Sequence, residues 1–345
     1  MEASAYACRR MREELAPRLL DYLRAAVDRP RLDYAEAPAP VRGGFDTEIF
    51  TFSLNGAVPA LSGPLVLRVL APYHDPRRAL RERAVQNAVA GMGFPAPRAP
   101  LASADPGVLG GAFLVMERRP GRPLLAARRL GIASLLMETH LRLHALDPSP
   151  VLAALERAVP GSAALVSLDG HLGQLAARVD GHLPGLEPAL RWLLDHRPDP
   201  SGARAICHGD FHPQNLLWHQ REISAVLDWP DVLVADPVYD VAATKVILEQ
   251  APLGVLPLRR PVRWAVAAAR RLLVALYLRG YRRRRPLAER TLAYGEALAC
   301  MRGLVRAAEQ RVGARATNPL DASSFADRLA ARFAALTEIR VQVVM

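Results

Sequence analysis

Lysine is nearly missing from this chain: it occurs once in 345 residues, as Lys245, and the rest of its 45 Lys and Arg side chains are arginine. A formal charge of +11 invites a nucleic-acid partner. Surfaces that follow a phosphate backbone, however, mix lysine with arginine and interleave aromatic rings, and aromatic residues make up only 6% here. With abundant Ala, Gly and Pro, the arginine excess reads as the mark of a GC-rich coding sequence, and no nucleic-acid partner is expected. Cysteine is scarce as well. Cys8, Cys207 and Cys300 are odd in number and form no close pair, which excludes a disulfide framework and fits reduced thiols. No window reaches the roughly 18 apolar residues that a membrane span requires. The most apolar stretch, Trp264 to Leu278, is cut by Arg270 and Arg271. Arg9, Arg10 and Arg12 are followed by Glu13, Glu14 and Pro17 where a signal peptide needs its apolar run. The expectation is a cytoplasmic protein with no membrane association and no obligate protein partner.

What is present describes a folded chain. Hydrophobic residues at 51% and charged residues at 23% exclude general disorder. A length of 345 residues exceeds what one core usually organises, so two lobes are expected. Residues 9–27 carry Met11, Leu15, Leu19, Leu23 and Val27 at helical spacing, and Pro30 to Pro40 reads as a proline-rich connector. Thr47 to Leu54, Leu65 to Leu70 and Ala112 to Glu117 read as strands, with a helix over Arg77 to Ala90 stopped by Gly91, Gly93, Pro95 and Pro97. From about residue 125 the pattern is mostly helical, best at Ala133–Leu146, Leu172–Val179, Arg263–Tyr277 and Ala288–Arg311, with a β-rich insert around 205–230. The resulting division is an N-terminal helix and linker (1–39), a small β-rich lobe (40–117) and a larger helical lobe (118–345): an α+β architecture.

The densest chemistry lies between Ile206 and Asp240. Two short apolar strands, Asn215 to Trp218 and Ile223 to Leu227, flank a turn at His219 to Glu222. Asp210 sits just before the first strand, Asn215 follows five residues later at its start, and Asp228 stands just after the second, so a hairpin would bring these polar ends together. Phosphoryl transfer needs such a set. A triphosphate carries too much negative charge for a hydroxyl to approach unaided, and a hard divalent cation such as Mg²⁺ takes oxygen ligands. Asn215 and Asp228 can supply a carbonyl and a carboxylate, which leaves Asp210 to orient the acceptor hydroxyl and take its proton.

HGDFHPQN, then VLDW, then ADPVYD resembles the aminoglycoside phosphotransferase family, relatives of the protein kinases, strongly over about residues 40–250. The resemblance implies a bilobal protein-kinase-like fold holding ATP or GTP between its lobes. Position by position, Asp210 matches the family's catalytic base, and Asn215 and Asp228 match its magnesium ligands. Gly43, Gly44 and Thr47, in Gly43-Gly44-Phe45-Asp46-Thr47, stand where a turn covers the phosphates. Arg68 replaces the phosphate-gripping lysine of protein kinases, exchanging a point ammonium for a broad fork. Glu82 would be its ion-pair partner, and Met116 and Glu117 would form the hinge whose backbone meets the nucleobase.

Other clusters read as structural. Asp236-Pro237 is a helix start, with Asp240 stabilising the same corner. Cys207, His208 and His212 lack the spacing and the second cluster of a zinc site, and His208 fixes the loop while His212 lines the acceptor side. His140 and His144, four apart without the glutamate of a metalloprotease pattern, read as ordinary helix residues. Arg282 to Arg285 reads as a solvated run.

Residues 241–345 contain 19 Lys and Arg against 7 Asp and Glu, a net of +12. That steers poorly for a polycationic aminoglycoside and favours a neutral or anionic small-molecule hydroxyl compound, be it an antibiotic, a sugar or a metabolite. Two other classes stay open. A catalytically weak nucleotide-binding regulator is opposed by the intact Asp210, Asn215 and Asp228 set. A protein kinase is opposed by the short segment between Asp228 and Asp236, which leaves little room for a peptide platform.

Overall fold

The structure is a computed structural model that describes residues 2–41, 47–127, 131–199, 202–251, 260–313 and 323–342. The chain divides into two compact units, residues 1–120 with 154–160, and residues 121–153 with 161–345.

The first unit opens with helix α1 (Glu2–Val27) and continues through strands β1 (Asp33–Pro40), β2 (Thr47–Asn55) and β3 (Leu65–Leu70), and helix α2 (Arg77–Gly91). Strand β4 (Leu101–Ser103), a single helical turn α3 (Pro106–Leu109) and strand β5 (Phe113–Glu117) complete it. The five strands form one antiparallel sheet in the order β1-β2-β3-β5-β4. Leu15, Leu19 and Leu23 of α1 recur at helical spacing and pack on Phe50, Phe52, Leu65, Leu67 and Phe113. Leu19, Leu23 and Phe113 are fully buried, and each such side chain stabilises by about 2 kcal/mol.

The segment read as a proline-rich connector is a strand. Pro38 and Pro40 are tolerated because β1 is an edge strand bonded only to β2, where a missing N–H faces away from the ladder. The irregular register between Tyr34 and Ala39 absorbs the misfit.

The second unit carries β6 (Arg122–Pro123), α4 (Ile132–His144), part of α5 (Ser149–Ala158), α6 (Ser162–Leu165), α7 (Leu168–Val179) and α8 (Glu187–Asp195). Four short strands follow: β7 (Ala205–Cys207), β8 (Leu216–His219), β9 (Glu222–Val226) and β10 (Leu233–Ala235). Helices α9 (Val238–Gln250), α10 (Arg260–Arg284), α11 (Glu289–Arg311) and α12 (Ser323–Thr337) end it. Its core is built largely by α7, α8, α9, α11 and α12, with Leu175, Leu193, Leu304 and Phe333 among its buried members. Among the described residues no helix is long and apolar enough to cross a membrane.

Candidate active site

In the first unit, Arg68 lies on β3 between Ile49 of β2 and Leu114 of β5. Its guanidinium Nη1 donates to Glu82 Oε1 at 2.5 Å. Glu82 is 1% exposed, so the ion pair is shielded from water. The helix cannot easily shift. Asn87 Nδ2 donates to the Ala99 carbonyl while Asn87 Oδ1 accepts from the Ala99 N–H, both at 2.8 Å, and Gln86 Nε2 donates to the Pro97 carbonyl at 2.9 Å. Thr47 begins β2 opposite Leu70. Gly43 and Gly44 lie outside the described residues.

Met116 is buried at the end of β5. Glu117 gives its N–H to the Arg98 carbonyl and Arg118 gives its own to the Pro64 carbonyl, both at 2.9 Å. Those two donors are therefore already engaged.

In the second unit, β8 and β9 form the hairpin foreseen from the sequence, closed by Gln220 and Arg221 at φ +44° and +73°. Two consecutive left-handed residues suit the right-handed twist of the flanking strands. The Leu227 N–H donates to the Asn215 carbonyl at 2.8 Å, which fixes the base of the hairpin and sets Asp228 one residue beyond it. Asn215 Nδ2 donates both to the Asp210 carbonyl and to Asp210 Oδ2, each at 2.9 Å. Asp210 and Asn215 are thus in direct contact, and Asp228 follows the residue bonded to Asn215. Asp228 itself has φ +67°, a strained conformation for a non-glycine residue and common where a side chain is aimed for function. With the Asn215 amide nitrogen turned to Asp210, its carbonyl oxygen and the Asp228 carboxylate are a pair of hard oxygen donors. Such a pair suits Mg²⁺ far better than a thiolate-seeking metal.

Burial would raise the Asp210 pKa, but His212 and Arg306 more than offset it and hold the carboxyl below its ordinary value. His212 Nε2 lies 3.5 Å from Asp210 Oδ2. Burial opposes charge on this imidazole, yet the Asp210 and Asp228 carboxylates raise its pKa above the usual histidine value.

The loop bearing Asp210 is held from behind. Asp240, in the first turn of α9, accepts from the His208 N–H at 2.5 Å and the Gly209 N–H at 2.8 Å. The same carboxylate contacts His140 Nε2 at 2.8 Å and His144 Nε2 at 3.2 Å, while Tyr277 and Tyr281 contact the two Nδ1 atoms at 2.7 Å each. All of these side chains are buried. Burial pushes the Asp240 pKa up, but the two imidazoles more than reverse it and keep the group well below the usual carboxylate range. Asp240 is thus the corner residue expected, whereas His140 and His144 are far from ordinary. A visible signal existed: His140 and His144 are four apart on α4, and Tyr277 and Tyr281 are four apart on α10, so each pair lies on one helix face. His140, His144 and Asp240 converge closely enough to resemble a metal trio. Each imidazole nitrogen, however, already meets a carboxylate or a phenol, so hydrogen bonding accounts for the cluster.

His208 is a loop-fixing residue rather than a zinc ligand: its Nε2 meets the Leu227 carbonyl at 3.0 Å and its Nδ1 accepts from the Asp210 N–H at 3.2 Å. Asp236 caps α9 through the Val238 N–H at 2.9 Å. Cys207 and Cys300 are buried free thiols.

A model of the phosphotransferase enzyme family matches residues 39–287. The chain belongs to that family. It has the bilobal, protein-kinase-like fold, with a β-rich N-lobe and a larger helical C-lobe. Among solved structures, a candidate aminoglycoside phosphotransferase from Ralstonia eutropha aligns with a TM-score of 0.61 at 19% identity, over 93% of this chain and 98% of its own. Aminoglycoside phosphotransferase APH(4)-Ia, in a complex with AMP-PNP and hygromycin B, aligns with a TM-score of 0.54 at 16% identity, covering 91% and 97%. Macrolide 2′-phosphotransferase from Brachybacterium faecium aligns with a TM-score of 0.51 at 18% identity, covering 94% and 99%. These likenesses establish the fold. Among curated proteins, human acyl-CoA dehydrogenase family member 11 is 33% identical over 175 residues, 47% of this chain. The match takes in only 22% of that protein's length, and the mouse family member 10 is similar at 28% identity over 16% of its length. The phosphotransferase chain therefore resembles one portion of much longer relatives.

Proposed function

We propose that this phosphotransferase moves the γ-phosphoryl group of ATP or GTP onto a hydroxyl of a small molecule, with Asp210 as the base and Asn215 and Asp228 as ligands of Mg²⁺. The observation that carries the reading is the contact of Asp210 with Asn215 at 2.9 Å, on a loop whose backbone is bonded to Asp240. Mg²⁺, when bound, neutralises phosphate charge and holds the transferring group in line. Asp210 accepts a hydrogen bond from the acceptor hydroxyl, orients its lone pair toward phosphorus and takes the proton as the new bond forms. The depressed Asp210 pKa keeps the group ionised at neutral pH, as a base requires. In the first unit Arg68, steadied by Glu82, grips nucleotide phosphates, Gly43, Gly44 and Thr47 belong to the turn that covers them, and the Met116–Glu117 segment receives the nucleobase. Solution in the cytoplasm fits this use of nucleotide. Whether the acceptor is an antibiotic, which would make the enzyme a resistance factor, is a matter for an acceptor panel.

The test is ³¹P NMR of the purified protein with ATP or GTP, Mg²⁺ and a panel of hydroxylated compounds including hygromycin B, a macrolide and simple sugars. The reading expects Mg²⁺-dependent loss of the γ-phosphate signal with growth of a phosphomonoester. Nucleotide binding without a new phosphate ester, for any acceptor, would favour a regulatory nucleotide-binding protein instead.

A further inference from the structure

The backbone on either side of Asp210 is tied to α9. Asp240 takes the N–H groups of His208 and Gly209, and one turn further along Thr244 Oγ1 donates to the Phe211 carbonyl at 2.9 Å. Thr244 and Phe211 are fully buried, and the Phe211 ring stacks on His140 with centroids 4.1 Å apart. The Asp210 N–H is itself bonded to His208 Nδ1. With the main chain held before, at and after Asp210, the direction of its carboxylate is what remains to be set. A base that presents its acceptor oxygen off line loses its alignment with the hydroxyl.

The two carboxylate oxygens are placed differently. Oδ2 is approached from two sides: Asn215 Nδ2 donates to it at 2.9 Å, and His212 Nε2 lies 3.5 Å from the same atom. Oδ1 takes no hydrogen bond from any described residue, and the Asp210 side chain is 26% exposed. One donor leaves a carboxylate able to swing about that contact, whereas two from different directions fix its plane. His212 is in turn aimed by its neighbours. Its Nδ1 accepts from the Gln214 N–H at 3.3 Å, and its carbonyl accepts from the Asn215 N–H at 2.9 Å. With Nδ1 an acceptor, the ring proton stands on Nε2, facing Asp210. The imidazole read from the sequence as lining the acceptor side therefore turns its donor to the carboxylate.

Resting on the reading of Asp210 as the base, we propose that His212 is a positioning residue that anchors Asp210 Oδ2 together with Asn215, so that Oδ1 is the atom that accepts the hydroxyl proton. The acceptor O–H bond breaks, its proton passes to Oδ1, and the oxygen bonds to phosphorus as the bond to the departing nucleoside diphosphate opens.

The experiment follows ADP release from MgATP in the intact protein, with water as the acceptor hydroxyl. His212→Asn keeps an acceptor for the Gln214 N–H but falls short of Asp210, whereas His212→Gln carries a donor at the reach of Nε2. His212→Asn is expected to lower kcat about 10- to 100-fold with the KM for MgATP unchanged, the scale of a misdirected reacting group, and His212→Gln to restore most of the rate. In an Asp210→Asn background the same His212→Asn change should cost less than about twofold, because the group it acts through is gone. A wild-type kcat in His212→Asn, a Gln variant as slow as the Asn variant, or an equal loss in both backgrounds overturns the positioning role. Asp210→Asn hydrolysing MgATP as fast as the wild type would instead remove Asp210 as the base. A second readout needs no turnover: in ¹⁵N NMR the His212 Nε2 resonance should move when Asp210 becomes Asn, and an unmoved resonance overturns the contact even where hydrolysis is too slow to follow.

Discussion

Gly209 occupies a φ of +79°, and a Cβ at this position would lie 2.2 Å from the Asp231 carbonyl oxygen. Backbone strain of this kind costs about 1–3 kcal/mol before any clash is counted. Gly209→Ala is therefore expected to lower the Tm by several degrees and to displace Asp210; an unchanged Tm with full activity would mean that the loop backbone is not held as described. At the same scale, oxygen-ligand chemistry and the hairpin singled out Asp210, Asn215 and Asp228 in the sequence and the family resemblance singled out Arg68 and Glu82, and the Asp210–Asn215 and Arg68–Glu82 contacts are present in the fold. The meeting of Arg302 and Arg306 on Asp231 was not foreseen. In a chain with 45 Lys and Arg side chains, no spacing rule sets two arginines apart until the fold places them on one carboxylate.

Among the elements, α9 links the loop to the helices behind it. Asp240 receives two backbone N–H groups from the loop and faces two imidazoles from α4, whose other nitrogens meet phenols from α10. Removing one partner of a buried charged network leaves the rest uncompensated, at a cost of about 3–5 kcal/mol. Asp240→Ala is expected to destabilise by that order in denaturant unfolding and to abolish phosphoryl transfer, whereas a loss below about 1 kcal/mol would show the network to be dispensable. Sequence reading recovered β3 with the same ends and the β8–β9 hairpin nearly so, since both have strong apolar patterning and clear turns. It missed β1 because proline usually argues against a strand, and only the sheet order reveals β1 as an edge. It placed the start of α9 at Asp236-Pro237 without following the helix further, and it set no bounds for α8 and α12 inside the stretch read as mostly helical. Nine of the thirteen residues of α9 are buried, so its pattern has no solvent face to read.

For the whole molecule, buried histidines set the acid limit of stability. Burial, then the neighbouring His140, lowers the His144 pKa from 6.5 to about 4, and burial with Arg302 lowers that of His171 likewise to about 4. Between these pH values the unfolded chain binds protons that the folded chain refuses, so stability is full above about pH 6.5 and falls as pH drops toward 4. Chemical denaturation from pH 7 to pH 4 should show this decline, and His171→Gln should flatten part of it; a stability that rose on acidification would contradict the sign.

The central claim is that Asp210 takes the proton of an acceptor hydroxyl. It is tested most directly by comparing acceptor-dependent nucleotide turnover in wild type and Asp210→Asn, with Mg²⁺ and at equal nucleotide saturation. A loss of about 10²–10⁴-fold in kcat with nucleotide affinity preserved is predicted, the range that a positioned base contributes. Equal turnover in the two proteins would contradict it.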